Sequence, residues 1–244
     1  MQMQRTLPLL AIAFLAGNLH AVQVTNTIDN FTTKQDITAT NATTNNTISA
    51  DGALGGFRTM ILVATNDGGG GGALVRVATN APNRLSFESG SGATGSFEVI
   101  WGGANGTAGL GGIALGNGQS IDTTNSSLNF SLRIADFTNG FTWKFTDTNA
   151  NIATYSGDFS TNGTTNPAVP FEIKLTSFSN FNVVNWNAIN FISLSGGDVP
   201  ELDLQILSSV QVITTVPEPK TWLLLGLAGL AVAITARSKP GKRT

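Results

Sequence analysis

Ser127–Ala135 reads SLNFSLRIA, and within it Leu128, Phe130, Leu132 and Ile134 occupy alternate positions. An apolar period of two puts all four on one side of an extended chain, the signature of a half-buried strand and not of a helix. The pattern recurs on both sides. Phe141, Trp143 and Phe145 alternate in FTWKF, Phe97, Val99 and Trp101 in SFEVIW, and Phe171, Ile173 and Leu175 in PFEIKL. Leu202, Leu204, Ile206, Val210 and Val212 form a last alternating run. Further strands are expected over 57–65, 73–79, 152–156 and 189–194. Turn-rich spacers separate them, DGGGGG at 67–72, GGANG at 102–106 and TNGTTNP at 161–167. No amphipathic helix is evident before residue 216. Many short strands in about 194 residues predict an all-β domain, an antiparallel two-sheet sandwich wound as a jelly roll. A β-helix would need a repeat of fixed period, and none is found.

The two ends differ from this middle. Residues 1–21 read MQMQRTLPLLAIAFLAGNLHA, with Arg5 ahead of an apolar core from Leu7 to Ala16 and a Leu19/Ala21 pair before Val22. This is the form of a signal peptide cut by signal peptidase after Ala21. At the other end, 216–244 contains Pro217, Glu218 and Pro219, an uncharged run from Trp222 to Ala236, and then Arg237, Lys239, Lys242 and Arg243. As a helix, 222–236 would span about 22 Å at 1.5 Å per residue, short of a hydrocarbon core of about 30 Å. Such shortness suits a processing signal better than a permanent anchor, although a plain C-terminal tail anchor has the same outline.

The order Pro-Glu-Pro, short hydrophobic helix, Arg-led basic end resembles the PEP-CTERM sorting signal, over about 28 of the 244 residues. In that family an exosortase, a transpeptidase-like membrane enzyme, recognises and removes the tail during export. The resemblance implies a bacterial protein inserted transiently in the inner membrane and then placed at the cell surface or in an exopolysaccharide biofilm matrix. Pro217, Glu218, Pro219 and Arg237 would be its sorting residues. A second resemblance lies in Trp101-Gly102-Gly103, GLGGIAL at 109–115 and Asp136, which are similar to β-sandwich modules often found ahead of such tails. Gly102 and Ala114 stand where those modules commonly carry acids, so this resemblance implies a fold and no shared ligand site.

Between the signals, residues 22–215 carry seven basic against 14 acidic side chains, a net charge of −7 hidden in the whole-chain value of −2. An acidic, sparsely charged surface argues against nucleic acid as a partner. The chain has no Cys, and its one His, His20, lies in the signal peptide. That excludes Ser-His-Asp and Cys-His catalysis and ordinary zinc sites from the mature domain.

Few residues suggest chemistry. Asp147, Asn149, Asn151 and Asp158 imitate an EF-hand loop, but Ile152 replaces the turn Gly and the Glu is missing, so a polar hairpin explains them better. No acidic cluster marks a calcium site elsewhere, and no cofactor is expected. Glycoside hydrolysis would need only two carboxylates, with Glu88, Glu98, Glu172 and Glu201 as candidates. Glu98 and Glu172 lie opposite in phase to their apolar neighbours, on the solvated side. Trp101 and Trp143 fall in phase with core positions. Trp186 and Phe181, in NFNVVNW, are free of any such pattern and are the candidate sugar contacts. The expectation is a non-enzymatic exported protein associated with polysaccharide. A carbohydrate-binding module with a defined sugar site is the alternative, and a carboxylate-dependent glycoside hydrolase a third reading.

Overall fold

The computed structural model describes residues 22–216 apart from 41, 68–74, 81–82, 91, 104–107, 117–120, 136–140, 158–166 and 198–202. The signal peptide with its cleavage residue Ala21, the sorting residues Pro217, Glu218, Pro219 and Arg237, and the expected helix 222–236 lie outside the described residues. Among those described, no helix is long and apolar enough to cross a membrane. Gln23–Thr215 forms one compact unit.

That unit is two sheets face to face. Numbered in chain order, one sheet runs β11 (Val169–Lys174), β8 (Asp122–Ala135), β13 (Asp203–Val216), β6 (Arg84–Ser89), β5 (Val75–Asn80), β2 (Gln35–Ala39), with β1 (Val22–Asp29) also paired to β13. The other runs β10 (Ile152–Gly157), β9 (Phe141–Asp147), β12 (Ile189–Gly197), β7 (Ala93–Trp101), β4 (Phe57–Asp67), β3 (Thr43–Ser49). The hairpins β3–β4, β5–β6 and β9–β10 stay within a sheet, while most other connections cross between sheets, the winding expected of a jelly roll.

The period-two positions meet in the middle. Leu128, Phe130 and Leu132 of β8 face Phe141, Trp143 and Phe145 of β9, all buried, with the Phe130 and Trp143 rings 5.8 Å apart across the two layers. Phe87 and Phe97 bridge the sheets at 4.7 Å, and the Trp101 and Trp143 rings stack at 6.0 Å. Each such aromatic removes a large apolar area from water, the main stabilising term of the fold.

One position breaks the rule. Arg58 on β4 points inward and is wholly buried. Its Nη1 donates to Asp29 Oδ2 at 2.7 Å, Nε to Gln35 Oε1 at 2.9 Å, and Nη2 to the Thr33 carbonyl at 2.6 Å and Thr79 Oγ1 at 3.0 Å. Asp29 is saturated in turn, because Trp101 Nε1 donates to Oδ2 at 2.8 Å and the Phe31 amide to Oδ1 at 2.7 Å. Gln35 Nε2 reaches the Asn46 carbonyl at 2.8 Å. The cluster joins β1, β2 and β5 of one sheet to β3, β4 and β7 of the other. A buried charge without partners is very costly, whereas one with a counter-charge and a partner on each of its three nitrogens is tolerated.

This network also accounts for strands that the periodicity does not reveal. β2 turns Gln35, Ile37 and Ala39 inward, and a glutamine at the first of these positions hides the pattern. β1 and β3, VQVTNTID and TTNNTIS, are polar strands with little apolar alternation. β6 alternates Leu85 and Phe87 with Ser86 and Glu88, but with only two apolar positions the run is too short to stand out.

Replacing Arg58 by Met leaves Asp29 buried without its counter-charge, and unfolding by urea should show a loss of about 3–5 kcal/mol. Combining R58M with D29N should cost less than the sum of the single changes, since the orphaned charge is then gone. A loss below about 1 kcal/mol for R58M would show that the network contributes little.

Candidate functional site

An open groove of about 520 Å³ lies at one end of the sandwich, lined by Thr27, Asn30, Asp51, Gly52, Ala53, Leu54, Gly55, Ser209 and Gln211. Its wall from the seven-stranded sheet follows from strand phase. Ile28, Val210 and Val212 are buried, so Thr27, Ser209 and Gln211 turn their side chains away from the core. β13 pairs with β6 only as far as Leu207, and its register with β8 shifts between Leu207 and Gln211. Ser209 sits in that irregular stretch, where a bulge re-aims side chains.

The opposite wall is the turn 50–56, closed by its own backbone. The Ala53 amide donates to the Ala50 carbonyl at 2.8 Å, Gly56 to Ala53 at 2.9 Å, and Ala50 to Gly56 at 2.9 Å. Asp29 bridges Ala53, and the Asn30 amide donates to the Gly52 carbonyl at 3.1 Å, so the turn hangs directly on the Arg58–Asp29 cluster. Gly55 needs glycine's backbone freedom, and Gly52 leaves room for the Asn30 side chain. A Cβ on Gly52 would fall 1.6 Å from Asn30 Oδ1, and Gly55, at φ +75°, would place one 2.5 Å from Leu110 Cδ2.

The groove thus presents polar groups on a fixed frame. Asp51, Gln211, Ser209 and Thr27 make no side-chain hydrogen bond to any described residue, while Asn30 Oδ1 accepts from the Thr32 amide and hydroxyl and leaves its Nδ2 free. Leu54 and Ala53 supply an apolar side. One carboxylate, two amides, two hydroxyls and a small apolar wall suit a neutral ligand rich in hydroxyls. Asp51 is the single titratable group among the lining residues.

The sequence candidates lie elsewhere. Trp186 is 5 % exposed, its Nε1 donates to the Phe181 carbonyl at 2.8 Å, and its ring packs on Phe145 and Phe178 at 5.4 and 6.2 Å. It has no free face for a sugar, so the expectation for this residue is corrected. Phe181 is half-buried against the same cluster and is no open platform either. The irregular segment after β11 folds over the end of β9–β10 and buries Phe178, Val184 and Trp186 without any strand period to announce it. Trp101 and Trp143 lie in the core, as their phase predicts.

The EF-hand-like stretch is the β9–β10 hairpin turn. Asp147 is buried and accepts from the amides of Asn149 (2.8 Å), Asn151 (2.9 Å) and Asn185 (2.9 Å) and from Asn151 Nδ2 (2.9 Å). A carboxylate so occupied is a structural acceptor and not an open metal ligand. Among the described residues no three His, Cys, Asp or Glu side chains come together. Glu172 faces solvent and pairs with Lys174 on its own strand.

No family model matches this chain, and no curated protein matches it. Among solved structures it is similar to the family 11 carbohydrate-binding module of the cellulosomal cellulase Lic26A-Cel5E of Clostridium thermocellum, with 8 % identity over 78 % of this chain and 95 % of that one, at a TM-score of 0.36. A family 11 module from the same organism, in complex with a β-1,3-1,4-mixed-linked tetrasaccharide, matches with 10 % identity over 82 % of this chain and all of that one, at a TM-score of 0.39. At these values no residue of either module is placed on this chain.

Burial acts to raise the Asp147 carboxyl, but the bonds from Asn185, Asn151 and Asn149 outweigh it and hold its pKa below the usual value. A lowered folded-state pKa stabilises the fold above the unfolded value of about 3.9, and that contribution disappears as pH falls through the lower folded value. D147N should therefore be less stable than the natural protein at pH 6, with the gap closing in acid below about pH 3.9. Melting curves across that range check it, and a gap that widens in acid would contradict it.

Proposed function

We propose that this is an exported, non-enzymatic surface or matrix protein whose β-sandwich holds extracellular polysaccharide in the groove of Asp51, Asn30 and Gln211. The groove's chemistry carries the reading. A carboxylate and primary amides chelate vicinal hydroxyls through paired hydrogen bonds, and Leu54 offers a surface for the C–H side of a ring. Because Asn30, Gly52 and Ala53 are held by the Arg58–Asp29 cluster, little ordering is lost on binding.

The same groove disfavours hydrolysis. Glycosidases place two carboxylates across the scissile bond, and Asp51 has no second acid among the lining residues. A mature chain without His or Cys offers no other common nucleophile–base pair.

Delivery rests on the two ends. Signal peptidase cutting after Ala21 would release the front, and an exosortase reading Pro217, Glu218 and Pro219, with Trp222–Ala236 held transiently in the inner membrane and Arg237 as the stop, would remove the tail. The acidic 22–215 domain, free of nucleic-acid-binding character, then stays at the surface or in the matrix, with no cofactor required.

Affinity electrophoresis of the full chain in mild detergent, through gels containing the host's exopolysaccharide, should show retardation that D51N/Q211A weakens at least tenfold. Melting should be unchanged, because neither side chain hydrogen-bonds to a described residue. Equal retardation of the double variant would sink the groove as the site.

Mass spectrometry of the exported protein should find its C-terminus near residues 217–220 and no peptide beyond Trp222. An intact Thr244 in the exported protein would refute processing and leave a tail anchor.

A further inference from the structure

The turn that walls the groove contains one peptide unit that the fold does not hold. The Ala53 amide donates to the Ala50 carbonyl at 2.8 Å, which makes Asp51 and Gly52 the two central residues of a β-turn. The flanks of this turn are fixed, the Ala50 amide by the Gly56 carbonyl at 2.9 Å and the Gly52 carbonyl by the Asn30 amide at 3.1 Å. The unit between the central residues is not. Neither the Asp51 carbonyl nor the Gly52 amide bonds to any described residue, and Asp51 is exposed with its carboxyl unengaged. Such a unit can swing about the Asp51 Cα–C bond, and Gly52 accepts whatever φ that rotation demands.

That rotation brings the Gly52 nitrogen onto the Asp51 side chain. When the nitrogen attacks Cγ of the protonated carboxyl, a C–N bond forms and the hydroxyl leaves with the amide proton as one water molecule. The product is a cyclic imide, which water reopens. Cleavage between Cγ and nitrogen restores aspartate. Cleavage between the Asp51 main-chain carbonyl carbon and nitrogen leaves isoaspartate, with the chain rerouted through Cβ and Cγ. One water leaves and one enters, so the step needs no oxidant, reductant or cofactor. Among the described residues 51–52 is the only Asp-Gly or Asn-Gly pair. The other acids are restrained. Asp29 and Asp147 are saturated by donors, and Asp36 is paired with Arg76 and precedes the β-branched Ile37, which crowds an attacking nitrogen.

We propose that Asp51–Gly52 is a site of spontaneous aspartate isomerisation that gives the groove a finite working life. Isoaspartate adds a main-chain atom to a turn closed at 2.8 Å and moves the carboxylate onto Cα. Asp51 then no longer presents its acid where a ligand hydroxyl would meet it, and the Gly52 carbonyl is drawn away from the Asn30 amide. Mass and charge are both unchanged. The Arg58–Asp29 cluster beneath the turn keeps all its bonds, so the domain stays folded while its groove fails. The isomerisation is independent of what the groove holds, whereas its consequence for binding rests on the polysaccharide reading.

The full chain in mild detergent is aged at neutral pH beside a synthetic peptide of residues 48–55. Tryptic peptide 35–58 is then fragmented by electron transfer, which tells the two isomers apart. Isoaspartate should accumulate at position 51 of the folded protein at no less than about one-tenth of the rate in the free peptide, since opening of an exposed turn costs little. Asp36, in the same tryptic peptide, should stay unchanged. A slower reaction at position 51 would show that the turn shields the bond, and would overturn the proposal. Retardation in gels of the host's exopolysaccharide should fall in proportion to the isomerised fraction, towards that of D51A, with the melting temperature unchanged. Full retardation of isomerised protein would overturn the finite life of the groove. Asp51-dependent retardation of a protein that never isomerises would overturn this proposal and leave the groove reading standing. No retardation of fresh protein would sink the groove reading instead, with isomerisation still read from the peptide.

Discussion

The ion pair of Arg58 and Asp29 is the constraint to which the rest of this sandwich conforms. Two sheets of alternating strands could slide or rotate over one another with only modest loss, because apolar contact is non-directional. A buried guanidinium is directional. Its nitrogens reach Asp29, Gln35, Thr33 and Thr79, which come from the end of β1, the start of β2 and β5, while Arg58 itself belongs to β4 of the other sheet. Only one placement of the sheets satisfies all of these donors. Trp101, giving its indole N–H to the same carboxylate, ties β7 to that placement and orients the ring that stacks on Trp143. The polar cluster thus selects the arrangement that the aromatic core then fills.

That division of labour explains what can be read from the sequence. Strands whose inward positions are all apolar, such as β7, β8 and β9, stand out by their period of two, and with them the class of fold. β1, β2, β3 and β6 do not stand out, for distinct reasons. β2 buries a polar side chain, Gln35, where the pattern asks for an apolar one, and β6 has only Leu85 and Phe87 to mark its period. β1 and β3 are polar strands, and β3 lies at a sheet edge where a Thr/Asn sequence meets no penalty. Arg58 itself is a charge within an otherwise apolar run, FRTMILVA, and its isolation there was the available signal that a buried counter-charge must exist.

The proposed groove is less legible, because it is made of positions that the core leaves alone. Trp186 looks free when read along the chain, since no strand period surrounds it, and it is buried because an irregular segment packs by shape and not by period. The groove residues Thr27, Asn30, Asp51, Ser209 and Gln211 come from three distant stretches and acquire meaning only when β1 meets β13 beside the turn 50–56. The dipeptide Asp51-Gly52 does mark a turn. That the Asn30 side chain fills the space beside Gly52 is a tertiary fact with no local trace.

The edges of the two sheets are blunted by local bonding and composition. An exposed strand edge invites pairing with another chain, and native β-proteins blunt it. β10 is covered by the segment after β11, since the Ser179 amide donates to the Thr154 carbonyl at 2.8 Å and Asn180 Nδ2 to the Ile152 carbonyl at 3.3 Å. β11 carries Pro170, which cannot donate, and the charged pair Glu172 and Lys174. On β3 the Asn46 carbonyl is already taken by Gln35, a member of the buried cluster. The side chain that helps hold the two sheets in register therefore also occupies an acceptor on the edge strand. These devices act along the backbone edges and leave the side chains on the broad faces of the sheets unconstrained.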